Sequence, residues 1–204
     1  MPVGTLGYIL CGAAQILSIF GYSSLLALAL AEGYKWIFAD LSYINILTRS
    51  VVVGNGIILG MCILPILAKW LLIGRWRRQQ IPIWSFGYLR FWIVKTLVRL
   101  NPLALFVGLP IYILYLRALG AKIGRNVVIL SQHVPVCTDL LTIGDNTVVR
   151  KDAIFNCYRA HAGLIQTGSV TLGNHAYVGE MTVLDINTSL GDSAQLGHSS
   201  SLDI

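Results

Sequence analysis

The stretch Leu172-Gly-Asn-His-Ala-Tyr, Val178-Gly-Glu-Met-Thr-Val, Leu184-Asp-Ile-Asn-Thr-Ser, Leu190-Gly-Asp-Ser-Ala-Gln, Leu196-Gly-His-Ser-Ser-Ser, Leu202-Asp-Ile repeats every six residues. An aliphatic residue opens each unit. Gly or Asp follows it, at Gly173, Gly179, Asp185, Gly191, Gly197 and Asp203. A small residue holds the fifth place, at Ala176, Thr182, Thr188, Ala194 and Ser200. An ordinary antiparallel sheet would alternate with period two and would not fix three places in six. The register instead predicts triangular coils of three units each, stacked into a left-handed parallel β-helix. The aliphatic residue points inward onto its counterpart in the next coil, and the small fifth residue fits the narrow interior. Gly or Asp in second place is expected to take the tight corner geometry.

Upstream the pattern continues with Ile123-Gly124 before Val127, Ile143-Gly144 before Thr147, and Val149 before Ala153. Residues 120–204 are therefore assigned to the β-helix, interrupted by inserted loops at 130–142 and 156–171. Residues 172–189 make one coil and 190–204 most of another. Solenoid ends need a capping element, so the β-helix is expected to be incomplete at its C-terminus.

The first 120 residues have another character. The whole chain is 55% hydrophobic and 12% charged, with a mean hydropathy of +0.70, where a soluble domain carries about 25% charged residues. Residues 1–120 hold ten Lys or Arg against two acids, a balance of +8, and 121–204 hold five against seven, a balance of −2. The basic residues flank apolar stretches, which argues for anionic lipid and against nucleic acid as the partner. No charge falls between Val3 and Ala31, and about 20 apolar residues span a bilayer core. The reading is one membrane helix within about 5–30 and a second from about Val51 to Ile73, with residues 1–80 as a two-helix membrane segment. Gly54, Gly56 and Gly60 suit close helix contact or are ordinary membrane-helix glycines. Lys69, near the end of the second helix, is expected to snorkel.

Arg75-Trp76-Arg77-Arg78 follows that helix, whereas the loop between the helices is neutral. The positive-inside rule then places both termini and the β-helix on the cytoplasmic side of a multi-pass plasma-membrane protein. Residues 81–119 mix aromatic and basic residues and then break at Asn101-Pro102. They are read as an amphipathic or re-entrant linker, with a third crossing at Leu103–Leu116 as the alternative. Cys11, Cys62, Cys137 and Cys157 form no CxxC pair, and no zinc site is expected.

The runs His133-Val-Pro-Val-Cys-Thr-Asp-Leu-Leu-Thr-Ile-Gly-Asp-Asn, Tyr158-Arg-Ala, Gln166-Thr-Gly-Ser-Val-Thr-Leu-Gly, Val178-Gly-Glu-Met-Thr-Val-Leu-Asp-Ile and Leu190-Gly-Asp-Ser-Ala-Gln-Leu-Gly-His-Ser-Ser-Ser-Leu resemble one family. It is the C-terminal membrane and hexapeptide-repeat region of actinobacterial nonribosomal peptide synthetases of the ε-poly-L-lysine synthetase type. The resemblance is close over about 120–204; the membrane half matches mainly in layout. It implies tandem acetyltransferase-like β-helix units that join amino acids released as thioesters from a carrier domain's phosphopantetheine arm. Adenylation and carrier domains of the same synthetase, and sister β-helix repeats or a homotrimer, are the implied partners. This chain carries no adenylation or carrier motif.

Under that resemblance a histidine acts as general base, since imidazole titrates near neutral pH. His133, in the first insert beside Pro135, is the candidate, with Asp139 to orient it or to hold the substrate ammonium. Tyr158, Arg159 and His161 in the second insert are candidates for the carrier arm or a lipid phosphate. Glu180 is a candidate for a cationic amine, and His198, which like His175 is expected to face outward toward a neighbouring β-helix, is a further candidate for binding substrate or the carrier arm. Asp185 is read as a corner residue. Two other readings stand: a non-catalytic scaffold that packs against sister repeats, and a stand-alone membrane acetyltransferase using acetyl-CoA.

Overall fold

The computed structural model describes residues 5–202, so Asp203, the second place of the last repeat, lies outside the described residues. Two long helices open the chain, α1 (Thr5–Ile37) and α2 (Tyr43–Leu72). Both are long and apolar enough to cross a membrane, and they leave side chains such as Leu17 and Leu71 exposed. Each is longer than the sequence reading gave it, and α2 begins at Tyr43 rather than near Val51. Their tight contact is at Gly33, where an added Cβ would lie 2.6 Å from Val53 Cγ1. Gly54, Gly56 and Gly60 would meet nothing within 4 Å. They are ordinary helix glycines, and the close approach is made by a glycine on the other helix.

Two shorter helices follow, α3 (Phe86–Arg99) and α4 (Pro110–Ala118), joined through a 3-10 turn at Pro102–Phe106. Asn101 Nδ2 donates to Cys62 O at 3.2 Å, three turns before the end of α2, and Trp70 Nε1 donates to Ala118 O at 2.9 Å. The path therefore runs back along α2 and returns to its end. At nine residues, α4 is shorter than the about 20 that span a bilayer core. Phe106, Leu109, Ile111 and Leu114 remain exposed along this hairpin.

From Lys122 the chain winds through three parallel sheets. One face stacks Ile123, Ile143, Leu172 and Leu190; the next stacks Ile129, Val149, Val178 and Leu196; the third stacks Phe155, Leu184 and Leu202. The six-residue register is the observed one. Leu172, Val178 and Leu184 are at most 1% exposed, and the fifth-place residues Thr147, Ala153, Ala176 and Thr182 are buried. Interior hydroxyls find backbone acceptors: Thr147 Oγ1 donates to Gly173 O at 2.9 Å and Thr188 Oγ1 to Asp185 O at 2.7 Å. A buried hydroxyl left unpaired would be destabilising.

The corner geometry sits elsewhere than expected. In each repeat the left-handed residue is the fourth, as at Asn126, Asn146, Asp152, His175, Met181, Asn187, Ser193 and Ser199, with φ from 52° to 60°. Glycine in second place answers a different demand, the close stacking of one coil's backbone on the next. A Cβ at Gly144 would lie 2.5 Å from the carbonyl carbon of Gly173. Gly144→Ala is thus expected to lose about 1–3 kcal/mol, the usual penalty of overpacking. Gly191→Ala, with nothing within 4 Å of its added Cβ, should leave the thermal midpoint of this chain within a degree or two. Equal midpoints for the two variants would remove the stacking explanation.

Candidate functional site

Each insert takes the place of a coil corner or side. The first (130–140) follows Ile129 where the third face of that coil would run, and the second (156–169) follows Phe155 one coil later. Both therefore emerge at the same edge of the β-helix. The second is a β-hairpin rather than a loop, with strands Tyr158–His161 and Leu164–Thr167 joined by Ala162 (φ 47°) and Gly163 (φ 76°). Two consecutive positive φ values make the tight turn whose twist matches its flanking strands.

The hairpin's second strand, Leu164–Thr167, becomes the centre of a three-stranded sheet by pairing with Gln80–Pro82, Ile81 opposite Ile165. Thr167 fastens this junction: its Oγ1 donates to Arg77 O at 2.7 Å and accepts from Gln79 N at 2.9 Å. The 1–80 segment and the β-helix thus share a sheet through the first residues of the linker. Tyr158 wedges against α3, its ring 5.0 Å from that of Phe91 with Lys95 Nζ above it at 5.1 Å.

A cleft of about 460 Å³ opens where the two inserts meet the end of α3, lined by Arg99, Gln132, His133, Pro135, Asn156 and Tyr158 among others. His133 is exposed, while Pro135 and Val136 behind it are buried. Its backbone N–H donates to Ser131 Oγ at 3.1 Å, and Ser131 Oγ donates to Ala153 O at 2.5 Å, which ties the loop to the next coil. No hydrogen bond to the His133 imidazole occurs among the described residues. The cleft joins His133 and Tyr158 from separate inserts and adds Arg99, which sequence reasoning did not single out.

Other candidates are engaged elsewhere. Asp139 faces away from the cleft, its Oδ2 2.8 Å from Lys69 Nζ and accepting from Trp76 N at 2.9 Å. Lys69 does not snorkel: its side chain is 0% exposed, enclosed between α2 and the first insert, with Nζ 3.6 Å from the Trp70 ring centroid. Its approach to Asp139 is Coulombic contact rather than a well-aimed hydrogen bond. Gly120, at φ 105°, makes room, since an added Cβ would overlap the Asp139 carboxylate.

Arg159 Nε donates to Asp185 Oδ2 at 2.8 Å, a second guanidinium nitrogen contacts the same oxygen, and Asp185 Oδ1 accepts from Ile186 N. Asp185 is not the corner residue expected from the sequence, since the left-handed corner of its repeat is Asn187; its carboxylate instead holds the base of the hairpin. Glu180 is not free: its Oε1 lies 2.7 Å from Arg150. His198 Nδ1 accepts from Glu180 N at 2.9 Å, bridging adjacent coils, and His161 is exposed beside the hairpin turn. Cys137 and Cys157 are fully buried. Burial raises both thiols, that of Cys157 to about 12, so neither ionises near neutral pH.

Stacked six-residue repeats, with a histidine-bearing cleft at one edge and two long apolar helices ahead of them, define a hexapeptide-repeat β-helix protein with an N-terminal helical region. Over 154 residues, 76% of the chain, it is 32% identical to Delta-poly-L-ornithine synthetase of Acinetobacter baumannii (strain AB307-0294), of which the match covers 12%. The chain is therefore similar to a segment of a poly-amino-acid synthetase and spans a small part of that relative's length. Among solved structures it is similar to a hexapeptide-repeat acetyltransferase from Vibrio cholerae, with TM-score 0.39 and 13% identity over 50% of this chain and 75% of that one. A maltose O-acetyltransferase from Clostridium difficile 630 gives TM-score 0.34 and 13% identity over 43% and 62%. No protein-family model matches the chain.

Proposed function

We propose that this chain is a membrane-anchored acyltransferase-like unit of a poly-amino-acid synthetase, joining amino acids at the cleft between its two inserts. The observation that carries the reading is the convergence of His133 and Tyr158 from separate inserts into one cleft. An amine nitrogen attacks the carbonyl carbon of a carrier-bound aminoacyl thioester. The C–N bond forms and the C–S bond breaks. His133 takes the proton from the attacking nitrogen and returns it to the departing thiolate. Residues in the cleft fit a phosphopantetheine arm: Arg99 suits its phosphate, and Gln132 and Asn156 suit its amides. The arm supplies the activated acyl group. Asp139 and Glu180, both committed to cations, are left out of the chemistry.

In this reading adenylation and carrier domains belong to the same larger synthetase, and sister repeats or further copies of the chain pack beside the β-helix. The helices α1 and α2 cross the plasma membrane, with the β-helix on the cytoplasmic side. The second reading, a scaffold, draws support from the pairs Arg150–Glu180, between adjacent coils, and Arg159–Asp185, between the hairpin and a coil, which occupy these charges in holding the β-helix together.

Condensation by the full synthetase carrying His133→Ala separates the two. Losing a general base lowers rate about 100- to 10,000-fold, while amino-acid adenylation by another domain should continue unchanged. A fall of less than about threefold would return the unit to the scaffold class. Acetylation of an amine by this chain alone with acetyl-CoA would instead favour the stand-alone acetyltransferase.

A further inference from the structure

A second cleft, of about 520 Å³, lies between the end of α2 and the start of α3, and its lining includes Arg75, Arg77, Arg90, Gln79, Ser85 and Gly87. It is separate from the His133 cleft and shares no lining residue with it. Three arginines line one cavity, and no acidic residue lines it. Among the described residues none of the three arginines forms an ion pair. Like charges gathered without counter-ions are self-repelling, so such a site favours an anion.

The backbone that presents these arginines is fixed on both sides. Trp76 N–H is held by Asp139, Arg77 O and Gln79 N by Thr167, and strand Gln80–Pro82 by the hairpin. Arg90 stacks over the Phe86 ring at 4.3 Å. On the α3 side, Ser85 caps a 14-residue helix by accepting from Tyr88 N, and the helix's first turn, at Gly87, borders the cavity. The positive end of that helix adds to the field of the arginines. The two acids of the N-terminal half, Glu32 and Asp40, lie at the opposite end of α1 and α2. The cleft therefore sits at the basic end of the two apolar helices, at headgroup level for a chain anchored as proposed, with Phe86 and Leu71 exposed beside it.

We propose that this cleft binds a phosphate group, supplied by the headgroup of an anionic phospholipid, through Arg75, Arg77 and Arg90. Guanidinium forks match phosphate oxygens in pairs. The lipid source rests on the membrane reading of α1 and α2, and the phosphate site does not depend on the His133 chemistry.

The test uses the full chain, purified and delipidated in a nonionic detergent. Dioctanoyl phosphatidylglycerol, dioctanoyl phosphatidylcholine and inorganic phosphate are titrated separately, with binding read by native mass spectrometry and by thermal midpoint. Phosphatidylglycerol should bind and raise the midpoint at least about tenfold below the concentration at which phosphatidylcholine does. R75Q/R77Q/R90Q should weaken it at least about tenfold, and Arg90→Gln alone about threefold. Charge removal far from the cleft, in K122Q/K151Q, should leave it unchanged. Inorganic phosphate binding as tightly as the lipid, with the same dependence on the arginines, would keep the phosphate site and assign it to a soluble source. Equal binding of the two lipids, or an equal loss in K122Q/K151Q, would overturn the proposal. If the triple variant fails to fold, Arg90→Gln decides it, and unchanged phosphatidylglycerol binding there overturns it too.

Discussion

Methionine in place of Lys69 is expected to lower the thermal midpoint of the detergent-solubilised chain by roughly 6–20 °C. Removing one partner of a buried ion pair typically loses about 3–5 kcal/mol, and each kcal/mol moves a protein of this size by about 2–4 °C. The pair is Lys69 Nζ with Asp139 Oδ2 at 2.8 Å, the lysine fully enclosed. In Lys69→Met the carboxylate keeps Trp76 N–H but loses its counter-ion. Asp139→Leu should be as harmful, because it leaves an ammonium in an enclosed site with only the Trp70 ring beside it. The double variant Lys69→Met/Asp139→Leu should recover most of the loss, since apolar replacement of a buried pair is often close to neutral. Single variants within about 0.5 kcal/mol of wild type would show the pair to be incidental. The double variant also tests Asp139 itself. If it folds yet abolishes condensation in the full synthetase, the carboxylate has a chemical role beyond the ion pair.

Leu184→Asp is expected to prevent the β-helix from folding. Leu184 is 0% exposed and stacks between Phe155 and Leu202. An unpaired carboxylate there loses several kcal/mol in desolvation and also the packing of the lost side chain, against a typical total stability of about 5–15 kcal/mol. Ser189→Asp, in the same coil and exposed, should stay within about 0.5 kcal/mol of wild type. Far-UV circular dichroism through a thermal scan reads both. A cooperative wild-type melt for Leu184→Asp would refute the assigned register.

The β-helix was legible because its physics is local and repeated. Stacking fixes the first and fifth places of every unit, so Leu172, Val178 and Leu184 announce themselves by spacing alone. The second place was legible as a glycine but not as to its cause. A single sequence cannot distinguish a residue kept small by its own φ from one kept small by the coil above it, and Met181 in a left-handed corner advertises nothing. The inserts were visible as departures from period six, and that pointed to His133 and Tyr158. Their convergence was not visible, because it depends on how many residues one coil consumes between them. Lys69 read as a membrane-end cation because its partner lies 70 positions away, and Asp139 read as a catalytic candidate for the same reason. Arg75–Arg78 looked like a plain topology signal, yet the backbone it rides on leads straight into strand Gln80–Pro82, whose pairing with the hairpin has no local signature.

That strand, with Thr167 and the Lys69–Asp139 pair, also decides how the β-helix is mounted. A flexible linker would let the His133 cleft swing freely at the end of a tether. Instead the end of α2 is riveted to the β-helix at an enclosed ion pair and at a shared sheet only a few residues further on. For a chain anchored as proposed, the cleft then stands at one height above the lipid and faces one way. A carrier delivering its cargo has to come down to that level. The encounter becomes a search across a plane, in which the carrier's own tether, rather than any motion of this unit, sets the local concentration of thioester.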